Sequence, residues 1–203
     1  MLSRDFFLPS NVTAIARDML GKHLVTRMDG ELTSGIICET EAYAGVTDRA
    51  SHAFGGRRTA RTEVMYRTGG IAYVYLCYGV HSLFNVVTNV EGIPHAVLIR
   101  GIIPLEGKEI MLRRAGKERL TKEFATGPGK VSKLLGIHYS HSGLILSDHP
   151  GKDENSAIWI EDHRRVIKPD MILQGPRIGV DYAGKDALLP YRFTVPGLTM
   201  QTS

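Results

Sequence analysis

The run Ile71-Ala72-Tyr73-Val74-Tyr75-Leu76-Cys77-Tyr78-Gly79 decides the fold. It is built from β-branched, aromatic and aliphatic residues that suit a pleated surface, so it reads as a strand. Period-two alternation sets Tyr73 and Tyr75 on one face and Tyr78 on the other. Gly79 allows a sharp turn, Leu83–Thr88 reads as the returning strand, and His95–Ile102 as a third. Between Thr68 and Ile99 the only charged residue is Glu91, which points to the buried core of a sheet.

Upstream, residues 22–28 form a predicted strand, Asp29-Gly30 a hairpin turn, and the chain returns through Ile36-Ile37-Cys38 to Tyr43. Before them, Val12, Ile15, Ala16, Met19 and Leu20 make the apolar stripe of a helix capped by Ser10 and closed by Gly21. Residues 44–70 have little periodicity and read as a long loop. Downstream, helices are predicted over Leu105–Ala115 and after Gly127-Pro128-Gly129, the second carrying Val131, Leu134 and Leu135 and ending at Gly136. Short strands are predicted at 158–160, 177–180 and 191–195. Strands outnumber helices and the clearest connections are hairpins, which gives an α+β fold: a single mixed domain over residues 1–203 with a mainly antiparallel sheet.

The 203 residues are 43% hydrophobic and 23% charged, an ordinary globular balance that excludes wholesale disorder. No secretion signal and no apolar run long enough for a membrane span is readable. The two cysteines, Cys38 and Cys77, are too few for a disulfide scaffold and suit a reducing interior. Zinc-hydrolase, zinc-deaminase, nucleophile-elbow, dinucleotide and Walker motifs are all absent, and the eight scattered histidines assign no metal site, so no metal and no cofactor is expected.

The net charge of +4 permits a polyanionic partner without requiring one. Its distribution says more. Arg57, Arg58, Arg61 and Arg67 face one nearby acid, Glu63, and Arg100 to Lys122 holds seven basic against three acidic residues. By contrast, Asp148 to Asp162 carries five acids. An uncharged core flanked by basic stretches suits a cationic surface beside a sheet, although solvated loop arginines would give the same pattern.

Two groups of residues could carry chemistry. In Glu39-Thr40-Glu41-Ala42-Tyr43 the two acids and the tyrosine share one strand face. On an edge strand such acids are solvated; at the mouth of a glycine- and arginine-rich loop, one can act as general base on water. Tyr73, Tyr75 and Tyr78 fit sheet packing, or, next to cationic loops, a base-stacking pocket with an intercalating wedge.

These segments, with Ala50-Ser51-His52-Ala53, Phe84-Asn85-Val86, Val97-Leu98-Ile99-Arg100, Pro104-Leu105-Glu106-Gly107, Gly127-Pro128-Gly129-Lys130, Pro176-Arg177-Ile178-Gly179-Val180 and Tyr191-Arg192-Phe193, resemble the alkyladenine (3-methyladenine) DNA glycosylases of vertebrate type, also found in bacteria. The resemblance runs in order along nearly the whole chain. It implies a curved antiparallel sheet, flanking helices, and a protruding β-hairpin that enters the minor groove. Matched position by position, it makes Glu41 the water-activating carboxylate and Arg100 a further active-site residue. Tyr43, His52 and Tyr75 would contact the flipped base, Asn85 would stand at the pocket floor against guanine's amine, and Tyr78 would be the wedge. Thr59-Ala60-Arg61-Thr62 departs from the family's usual threonine-proline-arginine-asparagine. Arg57, Arg58 and Arg61 are the candidate contacts to the DNA backbone.

The implied activity is excision of 3-methyladenine, 7-methylguanine or hypoxanthine from duplex DNA. It would be carried out by a monomer, in the cytoplasm with the nucleoid if bacterial and in the nucleus if eukaryotic. No lysine lies between Lys22 and Lys108, so water rather than an amine is the expected nucleophile and an abasic site the expected product. Two other classes fit parts of the pattern: a non-catalytic binder of bent or single-stranded nucleic acid, which gives Glu41 no task, and a hydrolase of free nucleosides, which needs no wedge.

Overall fold

The long central strand organises the molecule. The computed structural model describes residues 1–121, 123–146 and 155–198. Its strands are β1 (His23–Met28), β2 (Glu31–Tyr43), β3 (Ile71–Cys77), β4 (His81–Thr88), β5 (His95–Pro104), β6 (Ser156–Glu161), β7 (Leu173–Gly175) and β8 (Arg192–Thr194). They form a curled half-barrel in the order β3-β4-β5-β2-β1-β6, with β8 paired to β2 and β7 to β8. Every pairing is antiparallel. The α+β fold read from the sequence is the fold observed.

Helices α1 (Val12–Asp18), α2 (Lys108–Ala115) and α3 (Pro128–Leu134) cover one face of the sheet. Ile15, Met19, Met111, Val131 and Leu134 pack there with Ile37, Ala42, Val74, Phe84, Val97 and Ile99 from the strands. The other face carries Tyr73, Ile71, Val87 and Ala96 beneath Ala53, Met65 and Tyr66 of the 44–70 segment. That segment is coiled into short 3-10 turns at Gly45–Thr47, Phe54–Gly56 and Glu63–Tyr66.

Two irregularities in the β2–β5 ladder decide what each face holds. Ile37 pairs with Ile102, Glu39 with Gly101, and Thr40 with Ile99, so Cys38 and Arg100 are each an extra residue without a partner in the register. A one-residue insertion moves every later side chain to the opposite face. Ile37, Thr40 and Ala42 thereby all face the helices, where the Thr40 hydroxyl donates to the Ala16 carbonyl at 2.8 Å. Glu39, Glu41 and Tyr43 take the other face. The crossing is tight: a Cβ on Gly101 would lie 3.1 Å from both Cys38 Sγ and Glu39 Cβ.

Several expectations are corrected. The cap of α1 is Asn11, whose side-chain oxygen accepts from the Ala14 N–H at 3.0 Å, one residue beyond Ser10. The helix predicted from Leu105 begins at Lys108, because Gly107 is left-handed (φ 66°). β2 is central, so its acids are not on an edge. Residues 177–180 form no strand; Gly179 at φ 74° breaks the extended run, and β7 lies just before it instead. Lys122 and residues 148–154 of the acidic run lie outside the described residues. No helix among the described residues is long and apolar enough to cross a membrane.

Candidate active site

Glu41 is firmly held on the loop-covered face. It sits where β2 has neighbours on both sides, paired to Leu98 of β5 and Arg192 of β8, so its backbone cannot shift easily. Its own exposure is 0%, which makes its partners decisive. One carboxylate oxygen accepts from the Ile178 N–H at 2.8 Å, and the other accepts from the Tyr43 hydroxyl at 2.8 Å. The Arg100 guanidinium stands 3.3 Å away. Arg100 can do this because its bulge turns it out of the ladder, and it also meets Glu39 at 3.2 Å. Arg192 meets the same Glu39 oxygen at 3.2 Å. Burial raises the Glu41 pKa, while Arg100, the Ile178 N–H and the Tyr43 hydroxyl oppose that rise.

A cavity of about 170 Å³ is lined by the three residues that hold this carboxylate, Tyr43, Arg100 and Ile178, whereas Glu41 itself is not part of its wall. Its walls bring together Tyr43, His52, Tyr75, Tyr78, Asn85 and Arg100, candidates drawn from five separate stretches of sequence. His52 stands edge-on to Tyr75 with ring centroids 4.6 Å apart, and its Nδ1 lies 2.8 Å from the Tyr73 hydroxyl. Burial holds the His52 pKa down to about 4, helped by Arg61 and Arg57, so its ring is neutral at pH 7. Asn85 is buried, and its amide donates to the carbonyls of Tyr73 at 3.1 Å and Leu83 at 3.3 Å. Those two bonds fix the plane of the side chain against the cavity.

The β3–β4 turn stands at the rim. Cys77 pairs with His81, and the Val80 N–H donates back to the Cys77 carbonyl at 3.1 Å. Both central residues have positive φ, Tyr78 at 52° and Gly79 at 70°. The left-handed region costs a tyrosine strain that a glycine would not carry, and such strain persists where the surrounding structure imposes it. Tyr78 is 95% exposed, so no packing in the free protein repays it.

Of the three candidate backbone contacts, Arg61 lies over the Tyr75 ring, 5.6 Å from its centroid, and Arg57 is exposed. Arg58 is already engaged: it forks onto Glu63 at 2.8 and 2.6 Å and covers the Tyr66 ring.

Sequence reasoning gave no role to Arg177 and Asp48. They form a buried pair, with contacts of 2.5 and 2.8 Å, whose members are 129 residues apart in the chain. The Arg177 guanidinium covers the Tyr43 ring at 4.7 Å, and the next residue supplies the N–H that holds Glu41. Tyr182, which donates to the Ala50 carbonyl at 3.0 Å, completes the wall. Arg177 lay within a motif already singled out, but no local pattern pairs it with Asp48.

Residues 5–199 match the family described as methylpurine-DNA glycosylase. Similar proteins carry the name "Putative 3-methyladenine DNA glycosylase". The one from Chlamydia abortus is 46% identical over 95% of this chain and 97% of its own length. That from Chlamydia felis is 45% identical over 95% of each chain, and that from Bacillus cytotoxicus 42% over 92% of each.

Proposed function

The chain belongs to the methylpurine-DNA glycosylase family, and from that premise we propose that it excises alkylated and deaminated purines, of the 3-methyladenine, 7-methylguanine and hypoxanthine class, from duplex DNA. The observation that carries the reading is a fully buried carboxylate, Glu41, held by three donors from residues that themselves line a ring-walled cavity.

Enzymes that act on a base inside a duplex extrude it first, at a cost of a few kcal/mol. Tyr78 enters the minor groove and fills the vacated stack. The extruded purine stacks among Tyr43, His52 and Tyr75. An alkylated purine bearing positive charge gains roughly 0.5–2 kcal/mol from such ring faces. A neutral His52 adds a polar edge without repelling that charge.

Cleavage then follows from the geometry. Glu41, ionised, takes a proton from a water molecule whose oxygen bonds to C1′ of the sugar. The C1′–N bond breaks, and its electron pair leaves with the base, which departs neutral when the lesion was cationic and, for neutral hypoxanthine, as an anion that then takes a proton from water. Positive charge that develops on the sugar is stabilised by the same carboxylate. Arg100 orients Glu41 and stands where a phosphate of the flipped nucleotide can approach. No lysine lines the cavity among the described residues, which supports water as nucleophile and an abasic product. The enzyme is taken to act as a monomer.

Glu41→Gln tests the reading. The amide keeps the size and cannot take the proton, so lesion binding should persist while excision of hypoxanthine or 3-methyladenine falls by orders of magnitude. Excision within a few-fold of wild type would remove Glu41 from the mechanism. Binding without excision by the wild type itself would leave a non-catalytic binder, and cleavage of free inosine instead would leave a nucleoside hydrolase.

A further inference from the structure

At the opposite edge of the sheet from the cavity, we propose a divalent transition-metal site, best suited to zinc, formed by His23, Glu161 and His163. His23 opens β1 and is the register partner of Glu161, the last residue of β6. Directly opposed residues of an antiparallel pair put their side chains on the same face about 5 Å apart. His163 lies two residues past the end of β6, and its ring reaches back over that of His23. One i, i+2 pair plus one cross-strand partner therefore supplies three ligands without any long-range loop.

The donors of the three side chains all lie within 4.8 Å of one another. The imidazoles stack at 4.0 Å between centroids with 20° between planes, and His163 Nε2 lies 2.7 Å from one Glu161 oxygen. Zinc with bonds of about 2.0–2.1 Å needs neighbouring donors roughly 3.3 Å apart, a small opening of this contact. The other Glu161 oxygen accepts from Trp159 Nε1 at 2.7 Å. That is the outer hydrogen bond by which ligating carboxylates are oriented. Lys22, a neighbouring cation, is turned onto Asp162 at 3.0 Å, while Arg165 lies near His23 and the N-terminal amine near Glu161. His163 is about half exposed, which leaves a fourth position for water and a path for entry.

Two histidines and one carboxylate with an open position match zinc rather than magnesium or calcium, which prefer all-oxygen shells. The site lies on the β1–β6 pair, away from Glu41, so its ion ties β6 to β1 and takes no part in base excision.

Untagged protein titrated with zinc chloride, and separately with cobalt chloride, tests this. We expect one ion per chain, a visible cobalt ligand-field band, and a melting temperature that rises with zinc and returns with chelator. His163→Ala, at an exposed position where folding is not at stake, should lose all three, and His23→Ala should do the same. Excision by wild type should be equal with zinc and with chelator. No stoichiometric binding by wild type, or equal binding by both alanine variants, would overturn the site.

Discussion

Each residue at the site is defined by what restrains it. Glu41 is held up in pKa by burial and down by Arg100, so with Glu41 as the proposed base the acid limb of excision should report their balance. Only the ionised form accepts a proton, so excision should fall as pH drops through a value above the usual carboxylate range of about 4.3. Arg100→Gln removes the opposing charge and should move that limb to higher pH, besides slowing the reaction. Single-turnover rates across pH would read both, and a limb that stays in place would mean Arg100 does not act on Glu41. Stability carries the opposite sign. The native state holds the Glu41 proton more tightly than the unfolded chain, so this contribution is lost as pH rises through the raised value. Glu39→Gln should be milder, because Glu39 meets Arg100 and Arg192 and shares neither of Glu41's bonds to Tyr43 and Ile178, which line the cavity. Asn85 is restrained differently, by two carbonyls that keep its amide from swinging aside. A purine 2-amino group should collide with it. Asn85→Ser should therefore raise excision of undamaged guanine relative to hypoxanthine, and an unchanged ratio would make Asn85 a purely structural residue.

At the scale of elements, the β3–β4 hairpin was legible from sequence because alternation, tyrosines and Gly79 all point the same way. Period-two alternation would set Tyr78 opposite Tyr73 and Tyr75, but β3 ends at Cys77 and the turn puts Tyr78 at the rim of the cavity that those two also line, 95% exposed while Tyr73 is buried. Truncating it should therefore leave folding stability nearly unchanged, whereas a buried aromatic cut to a small residue costs about 3–5 kcal/mol. Tyr78→Ser should instead weaken excision from paired lesions by about 1–3 kcal/mol of lost stacking, and less from a bulge that is already unstacked. A large drop in melting temperature with equal losses on both substrates would make it a core residue. The paired bulges of β2 and β5 were not legible. Ile36-Ile37-Cys38 looks like a plain apolar run, and only the register reveals that Cys38 and Arg100 are inserted. Nor could local pattern find Asp48 with Arg177, because nothing in either neighbourhood encodes a contact across 129 residues. The predicted strand over 177–180 failed for a related reason. Its apolar spacing suits a strand, but the Ile178 N–H bonds a carboxylate instead of a ladder partner.

Across the whole molecule, cations flank the hairpin on two sides. Arg57 and Arg61 stand on the loop side by the cavity. On the other side, His81 at the start of β4 borders a broad cleft with Lys117, Arg119, Lys130 and Lys133. A duplex whose minor groove receives Tyr78 would run across both, with phosphates of its two strands meeting different groups. Neutralising phosphates releases counterions, so log affinity should fall with log salt at about 0.9 per phosphate contacted. Arg57→Ala with Arg61→Ala should weaken binding to lesion and normal duplex alike and reduce that slope by about two. Lys130→Ala with Lys133→Ala should do the same from the far side, if the cleft carries the second strand. Arg58→Ala should matter less, because a phosphate must first displace Glu63 from its fork. Lys168, exposed beyond β6 at the other end of the sheet, supplies the control, and its alanine variant should keep the wild-type slope. Binding isotherms over a salt series decide it. Equal slopes for wild type and both double variants would place the duplex on another face, and a loss confined to the Arg57 and Arg61 variant would restrict the contact to one strand.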